Sequence, residues 1–524
     1  MNYREHFNIR KVSQSEPIPG KEMVRNNAGG YTFKVDVWKK LHRFLILGSE
    51  GGTYYVSEKK LTVDSAKTAL SCIEEDWLRV IDMVLDISES GKAPKNDPAL
   101  FVLAMCSSAA DEKVRKKALE VLPRVARIGT HLFHFAEYVE GFRGWGRSLR
   151  RAVANWYLDK SVDDLSYQLI KYQSRDGWSH KDLLRLSHPK TKEEEKNNVF
   201  RWVTKGDVSL TELPLLTYAH EKAKKATTSE EIISLIEKYS LPWEAIPTQW
   251  LKNADVWISL LPKLPLTATI RNLGRMSSLG ILNPLMAGEE LVIKKLNKEY
   301  IHKSRLHPLS ILIALKTYKR GHGLKGNLTW TPNGRIVDAL DEAFYLAFDN
   351  VEASGKRIMF ALDVSGSMSW GTIAGLPITP KEASAAMALI SAKVEPNYMT
   401  FAFSNEFVPV DISPRQRLDD VIRKMKEIGF GGTDCALPMI YALKNEIPVD
   451  VFVVYTDNET WVGETHPVQA LNEYRQKMNI PAKLIVVGMM ATDFSIADPD
   501  DGGMLDVVGF DIATPQIMHD FILQ

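Results

Sequence analysis

Between about Ala66 and Phe348 apolar residues recur at steps of three and four. In CSSAADEKVRKKALEVLPRVARI the positions Val114, Ala118, Val121, Leu122 and Val125 fall on one helical face, with charge opposite. SEEIISLIEKYSL, NADVWISLLPKLP and HPLSILIALKTYK repeat the pattern, separated by short breaks at Pro, Gly or Asn. Without a fixed sequence period, this predicts an irregular HEAT-like array of helical hairpins, a curved scaffold with a large concave surface. Ahead of it, LHRFLILGSEGGTYY in the stretch Tyr31 to Tyr55 reads as an ordered loop, because Gly and aromatic residues crowd it. PKTKEEEKNN, Pro189 to Asn198, reads as a solvated charged segment.

After Asn350 the pattern changes. Short apolar runs, RIMFALD, YMTFAF, VDVFVVYTD and AKLIVVGM, alternate with helical stretches such as KEASAAMALISAK, PVQALNEYRQKM and a last one near Thr514. Strands buried on both faces and separated by helices predict a doubly wound, mostly parallel α/β sheet. Three units follow: an N-terminal segment at 1–30, a helical body at 31–350 and an α/β domain at 351–524.

Composition adds one asymmetry. Residues 351–524 carry 13 Lys and Arg against 23 Asp and Glu, whereas the whole chain of 524 residues holds 66 and 65, so residues 1–350 have an excess of +11. A basic body with an acidic tail points to a polyanionic partner for the body; mutual neutralisation of the two parts at an interface is the alternative. No apolar run reaches the roughly 18 to 20 residues a membrane span needs, and MNYREHFNIRKV lacks the apolar core of a secretory signal. A cytoplasmic location without membrane contact is therefore expected. Cys72, Cys106 and Cys435 have no CxxC spacing and read as reduced core thiols.

In an α/β sheet of this kind ligands bind beyond the carboxyl ends of the strands. Asp363 closes RIMFALD and Asp457 closes VFVVYTD. Asp363, Ser365 and Ser367 in LDVSGSMS and Asp457 in TDNET are oxygen ligands at strand ends with no His or Cys nearby, which suits a hard divalent cation such as Mg2+, and Thr433 in GFGGTDCALP comes beside them from a Gly-rich turn. The set resembles the metal-ion-dependent adhesion site of von Willebrand factor A domains. A serine hydrolase would want GxSxG with a later Asp and His; neither serine is flanked that way, and His466 and His519 carry no accompanying logic. A two-metal nuclease would want a carboxylate-rich centre, whereas this one is largely hydroxyl.

Basic and hydrogen-bonding side chains concentrate between Arg143 and His188. Arg147, Arg150 and Arg151 in RGWGRSLRRAVANWY can share a helix face, Lys171 and Arg175 in LIKYQSR are four apart, and His180, Lys181, Arg185 and His188 follow the Gly177 break. Guanidinium and ammonium groups satisfy phosphates, and imidazoles can stack on or bond unpaired bases. Trp145, Trp156 and Trp178 in the same stretch read as core residues.

The stretches LHRFLILGSEGGTYY, GWSHKDLLRLSHPK, PLTATIRNLGRM, HPLSILIALKTYKRGHGL, DVSGSM, GGTDCALPMI, TDNETWVG and MNIPAKLIVVGM with ADPDDGGMLDVVGFD resemble the Ro ribonucleoprotein autoantigen family, the TROVE-module proteins, from about Tyr31 onward. The resemblance implies a ring of helical repeats closed by the von Willebrand-like domain. It implies binding of small noncoding Y RNAs on the outer surface and of misfolded or 3′-single-stranded RNAs through the hole, in RNA quality control and stress survival. Family RNA contacts map onto Lys171, Arg175 and His188, and the metal site onto Asp363, Ser365, Ser367, Thr433 and Asp457. The segment after His188 and the region Leu210 to Leu241 depart from that pattern. The expectation is a noncatalytic, monomeric RNA-binding protein that works with an exoribonuclease. Its rival is a helical interaction scaffold whose metal grips a partner carboxylate.

Overall fold

The computed structural model describes residues 10–50, 52–304, 306–323, 327–348, 352–373, 376–429 and 431–524. The domain boundary expected at 350 lies outside these residues. The helical body opens with Val37–Leu47 and the long Glu58–Ser90, then continues through Asp97–Ser108, Glu112–Val125, Gly129–Phe142, Arg147–Leu158 and Val162–Lys171. Val114, Ala118, Val121, Leu122 and Val125 are all buried, as their spacing predicts. No helix among the described residues is long and apolar enough to cross a membrane. Cys72, Cys106 and Cys435 are free and buried.

Two sequence expectations need correction. The stretch read as an ordered loop holds a strand, Tyr31–Lys34, and the helix Val37–Leu47, which Asp36 caps by accepting from the Trp38 and Lys39 amides and which ends at Gly48 with φ 66°. Tertiary packing of Leu41, Phe44 and Leu45 overrides the weak local signal. PKTKEEEKNN is only partly solvated: the helix Glu194–Thr204 begins inside it, and Lys196 is buried with its ammonium on the Leu158 carbonyl at 3.0 Å.

Eleven strands are described: β1 Met23–Arg25, β2 Tyr31–Lys34, β3 Ser174–Arg175, β4 Trp178–Ser179, β5 Ile358–Asp363, β6 Tyr398–Phe403, β7 Phe407–Pro409, β8 Val451–Thr456, β9 Lys483–Gly488, β10 Phe494–Ser495 and β11 Met504–Val508. Six form one sheet in the order β11-β9-β8-β5-β6-β7, parallel except for the edge strand β7. From β5 the chain moves outward to β6 and β7, then returns to β8 on the other side. The carboxyl ends of β5 and β8 therefore flank the switch point where such sheets bind ligands.

Both ends of the helical run dock on this domain. At the first, Arg43 is buried against Asp506 of β11. At the last, Lys316 on Pro308–Arg320 pairs with Glu382 at 2.7 Å, Lys319 pairs with Asp419, and Asp338 and Asp341 on Gly334–Leu346 meet Arg417 and the Leu418 amide. His307 closes the circuit. Its Nδ1 accepts from the Leu309 amide, so Nε2 carries the proton and donates to the Lys92 carbonyl at 3.1 Å and the Phe510 carbonyl at 2.9 Å. The helical body and the α/β domain thus form a closed loop of contacts.

Burial pulls the His307 imidazole from its ordinary value down to about 4. Between about 6.5 and 4 the unfolded chain takes up a proton that the folded protein refuses, so the stabilisation is fully present above pH 6.5 and is lost as pH falls toward 4. The loss at the acid end is roughly 3 kcal/mol. Calorimetry at pH 7.5 and 4.5 checks this: His307→Asn, which keeps a capping side chain, should show a smaller drop in melting temperature than the parent.

Candidate functional site

The first candidate site sits at the switch point. Asp363, Ser365, Ser367, Thr433 and Asp457, brought from three loops, are all buried there. The Asp363 carboxylate accepts from the Ser365 amide at 2.9 Å and from the Thr456 hydroxyl at 2.6 Å. The Ser365 and Ser367 hydroxyls lie 3.2 Å apart, and Ser367 bonds on to Asp457. Gly432 lets the third loop approach, since a methyl there would collide with Val462.

Burial first, and the neighbouring Asp457 second, push the Asp363 carboxyl upward; burial raises Asp457 as well. Lys381, a buried cation that feels the Asp363 charge, spends its ammonium on the Ile428 carbonyl. Two buried carboxylates joined by hydroxyls and lacking a paired Lys or Arg among the described residues form a donor set that a hard divalent cation would neutralise. Sequence reasoning missed Thr456, whose hydroxyl looks like any strand residue until the β5 and β8 registers are known.

The residues 10–30 set apart by sequence belong structurally to this site. Gln14 donates to Asp434 at 2.7 Å and to the Thr465 carbonyl at 2.8 Å, and Asn26 donates to the Thr460 carbonyl at 2.7 Å. Asn27 and the Ala28 amide hold the Glu459 carboxylate. Burial, then the charge of Asp457, pushes Glu459 up to about 8. β1 pairs with β2 and β2 with β10, all antiparallel, so the start of the chain straps the loop that carries Asp457. Exposed aromatic rings stand nearby: Tyr54 lies 4.9 Å from Tyr55 and 5.9 Å from Trp370, and Tyr55 feels the charges of Asp457 and Glu459.

The second candidate site is on the helical body. Arg147, Arg150 and Arg151 are exposed on Arg147–Leu158, which packs against His180–Ser187 carrying exposed Lys181 and Arg185. Exposed His188 ends that helix with φ 46°. Lys171 and Arg175 do not share a helix as their spacing suggests. Val162–Lys171 ends at Lys171, and Arg175 lies in the hairpin β3–β4, because Asp176 and Gly177 take positive φ and turn the chain. Lys171 bonds the Tyr167 hydroxyl at 2.9 Å, while Arg175 is open to solvent.

His134 and Glu137, missed from sequence, anchor that hairpin. His134 Nε2 is 3.0 Å from Asp176 and Nδ1 is 2.5 Å from Asp97, and Trp178 donates to Glu137 at 2.8 Å. Their signal was the i, i+3 spacing on one helix. His180 is a correction. It is 2% exposed, bonds the Tyr157 hydroxyl at 2.9 Å and packs among Phe133 and Trp156, so its ring cannot meet RNA. Burial holds it neutral, with its pKa down at about 3. Trp156 is core as expected, but Trp145 and Trp178 are only half-buried, with rings 5.5 Å apart.

A closed helical body clasped by an α/β domain with a hydroxyl-carboxylate site defines a two-module class. Residues 24–240 and 236–317 match the TROVE domain, and residues 357–522 match the Ro60 vWA domain. The RNA-binding protein RO60 of Deinococcus radiodurans is 44% identical over 514 residues, covering 97% of this chain and 96% of the relative. The RNA-binding protein RO60 of Caenorhabditis elegans is 35% identical, covering 95% and 90%. The crystal structure of the Deinococcus radiodurans RO (RSR) protein superposes with a TM-score of 0.70 at 43% identity, covering 93% of this chain and 99% of that one. The chain belongs to the Ro60 family of RNA-binding proteins, a family of binders and not of enzymes.

Proposed function

We propose that this protein binds small structured noncoding RNA of the Y type on its exposed cationic helices, and takes misfolded or 3′-single-stranded RNA for quality control and stress survival. The observation that carries the reading is the set of exposed cations Arg147, Arg150, Arg151, Arg175 and Lys181. They sit in a chain 44% identical to a named RNA-binding protein. Phosphates meet these cations first; unpaired bases are then selected by groups a duplex cannot reach. In this reading the protein acts as a cytoplasmic monomer that hands its RNA to an exoribonuclease.

Because each neutralised phosphate releases counterions, affinity for a hairpin RNA should fall steeply with salt, with a log-log slope of about −0.7 to −0.9 per phosphate contacted. Fluorescence anisotropy between 50 and 300 mM salt tests it, and a flat dependence would defeat the reading.

Asp363, Ser365, Ser367, Thr433 and Asp457 would hold Mg2+ directly or through water. The ion would supply a positive centre that binds an oxygen of the RNA or of a partner carboxylate. Binding to the folded state alone adds about 2.7 kcal/mol when the ion is at a hundred times its dissociation constant. Added Mg2+ should therefore raise the melting temperature of the parent and leave Asp363→Ala unmoved.

A further inference from the structure

The helical body holds a cleft of about 580 Å³, apart from the metal site, that shares only Lys181 with the cationic face. That volume lies within the range of about 300–1,000 Å³ usual for small-molecule sites. Its walls come from the start of His180–Ser187, inside a stretch that resembles the family, and from the end of Glu194–Thr204 and the last turns of Leu215–Lys225, which lie in the parts that depart from it. Trp202, Glu221, Lys181, Lys224 and Lys225 supply its chemistry.

Glu221 is fixed in place. Its Oε1 accepts from the Trp202 indole N–H at 3.0 Å and from the Lys224 ammonium at 2.7 Å, and both bonds end on that one oxygen. Oε2 is left to meet a ligand. Burial works to raise this carboxyl, but the bonds from Lys224 and Trp202 outweigh it and hold the group below its ordinary value. An ionised carboxylate is an acceptor only. Trp202 is half-buried and offers its indole as an apolar wall, while Lys181 and Lys225 stand exposed at the rim on two different helices with no ion-pair partner among the described residues.

We propose that this cleft takes an unpaired guanine of an RNA strand, with the base against Trp202, its N1–H and N2 amine on Glu221, and its flanking phosphates on Lys181 and Lys225. Guanine is the base that presents two adjacent donors on its Watson–Crick edge. Adenine and cytosine set a ring-nitrogen lone pair beside their amine, and uracil flanks a single N–H with two carbonyls; each would turn lone pairs toward the carboxylate. A site built to receive donors rejects a base lacking them, because its buried polar groups lose their partners. The cations on either side favour a strand over a free nucleotide, since a strand has a phosphate on both sides of the base.

The inference rests on the RNA-binding reading, and the experiment separates the two. Full-length protein is titrated with fluorescent nine-mers, U9 and U4XU4 with X being G, A, C or inosine, at fixed salt. The G-containing strand should bind about tenfold tighter than U9 and the A-containing strand, with inosine, which keeps N1–H but lacks the amine, in between. Glu221→Gln should bring the guanine preference below twofold, with U9 held at least as tightly as by the parent. Equal binding of all strands, or a guanine preference that Glu221→Gln leaves intact, would overturn the cleft assignment, even where a hairpin RNA still binds elsewhere. Displacement by equimolar guanosine monophosphate would assign the cleft to a free nucleotide and equally overturn it. Failure of every RNA, hairpin included, would remove the underlying reading as well. Should Glu221→Gln not fold, the guanosine and inosine strands on the parent still decide.

Discussion

Arg43→Ala is expected to weaken the protein by roughly 3–5 kcal/mol, the usual cost of stripping one partner from a buried ion pair. Arg43 is 1% exposed, and its Nη2 reaches both oxygens of Asp506 at 2.6 Å. Nη1 donates to the Thr492 carbonyl at 2.6 Å and the Phe494 carbonyl at 3.1 Å. One guanidinium thus ties the first helix of the body to β10, β11 and the loop before them. Without it Asp506 keeps, among the described residues, the Ser495 hydroxyl at 2.7 Å. Urea denaturation should show a lower midpoint, and the double variant Arg43→Met with Asp506→Leu should recover most of it, since apolar replacement of a whole buried pair is often neutral. An unchanged midpoint for Arg43→Ala would mean that the joint does not hold the two parts together.

Lys171→Ala with Arg175→Ala should weaken binding of a hairpin RNA at least about a hundredfold, because each charge-assisted bond contributes roughly 1.5–3 kcal/mol. The salt slope should fall by about two if both side chains meet phosphates. Arg175 carries the larger share. It is exposed and its nearest carboxylate, Asp176 at 3.6 Å, is itself engaged by His134, whereas Lys171 already bonds Tyr167. Surface substitutions of this kind move stability by less than about 0.5 kcal/mol, so the melting temperature should hold. Unaltered RNA affinity in a folded variant would take this surface out of the binding account.

The α/β domain was legible because its signals are local: RIMFALD, YMTFAF, VDVFVVYTD and AKLIVVGM became β5, β6, β8 and β9. β7 and β10 were not, being two or three residues long with ordinary composition, and neither was β11, whose run MLDVV is broken by Asp506. The residues of LDVSGSMS met Asp457 as expected, since an acidic residue closing a buried strand has few other places to point. The partners of that site at Gln14, Asn26 and Asn27 could not be read, because polar residues in a turn-rich segment carry no mark of what they will cap hundreds of residues away. For the RNA face the charges were legible and their geometry was not. His180 looked like its exposed neighbours Lys181 and Arg185, and only the Phe133, Trp156 and Tyr157 side chains packed over it show that it faces inward.

The strap formed by the start of the chain has a consequence for synthesis. Gln14 finds Asp434 across 420 residues and Arg43 finds Asp506 across 463. At translation rates of about 5–20 residues per second, the strap waits roughly 20 to 90 s for its dock to leave the ribosome. Helical hairpins with local contacts can settle in that interval, so residues 10–30 reach their final place after helices made later than they are. Throughout it β2 has an unpaired edge, and a nascent chain stalled before β10 is the species most exposed to strand-to-strand aggregation.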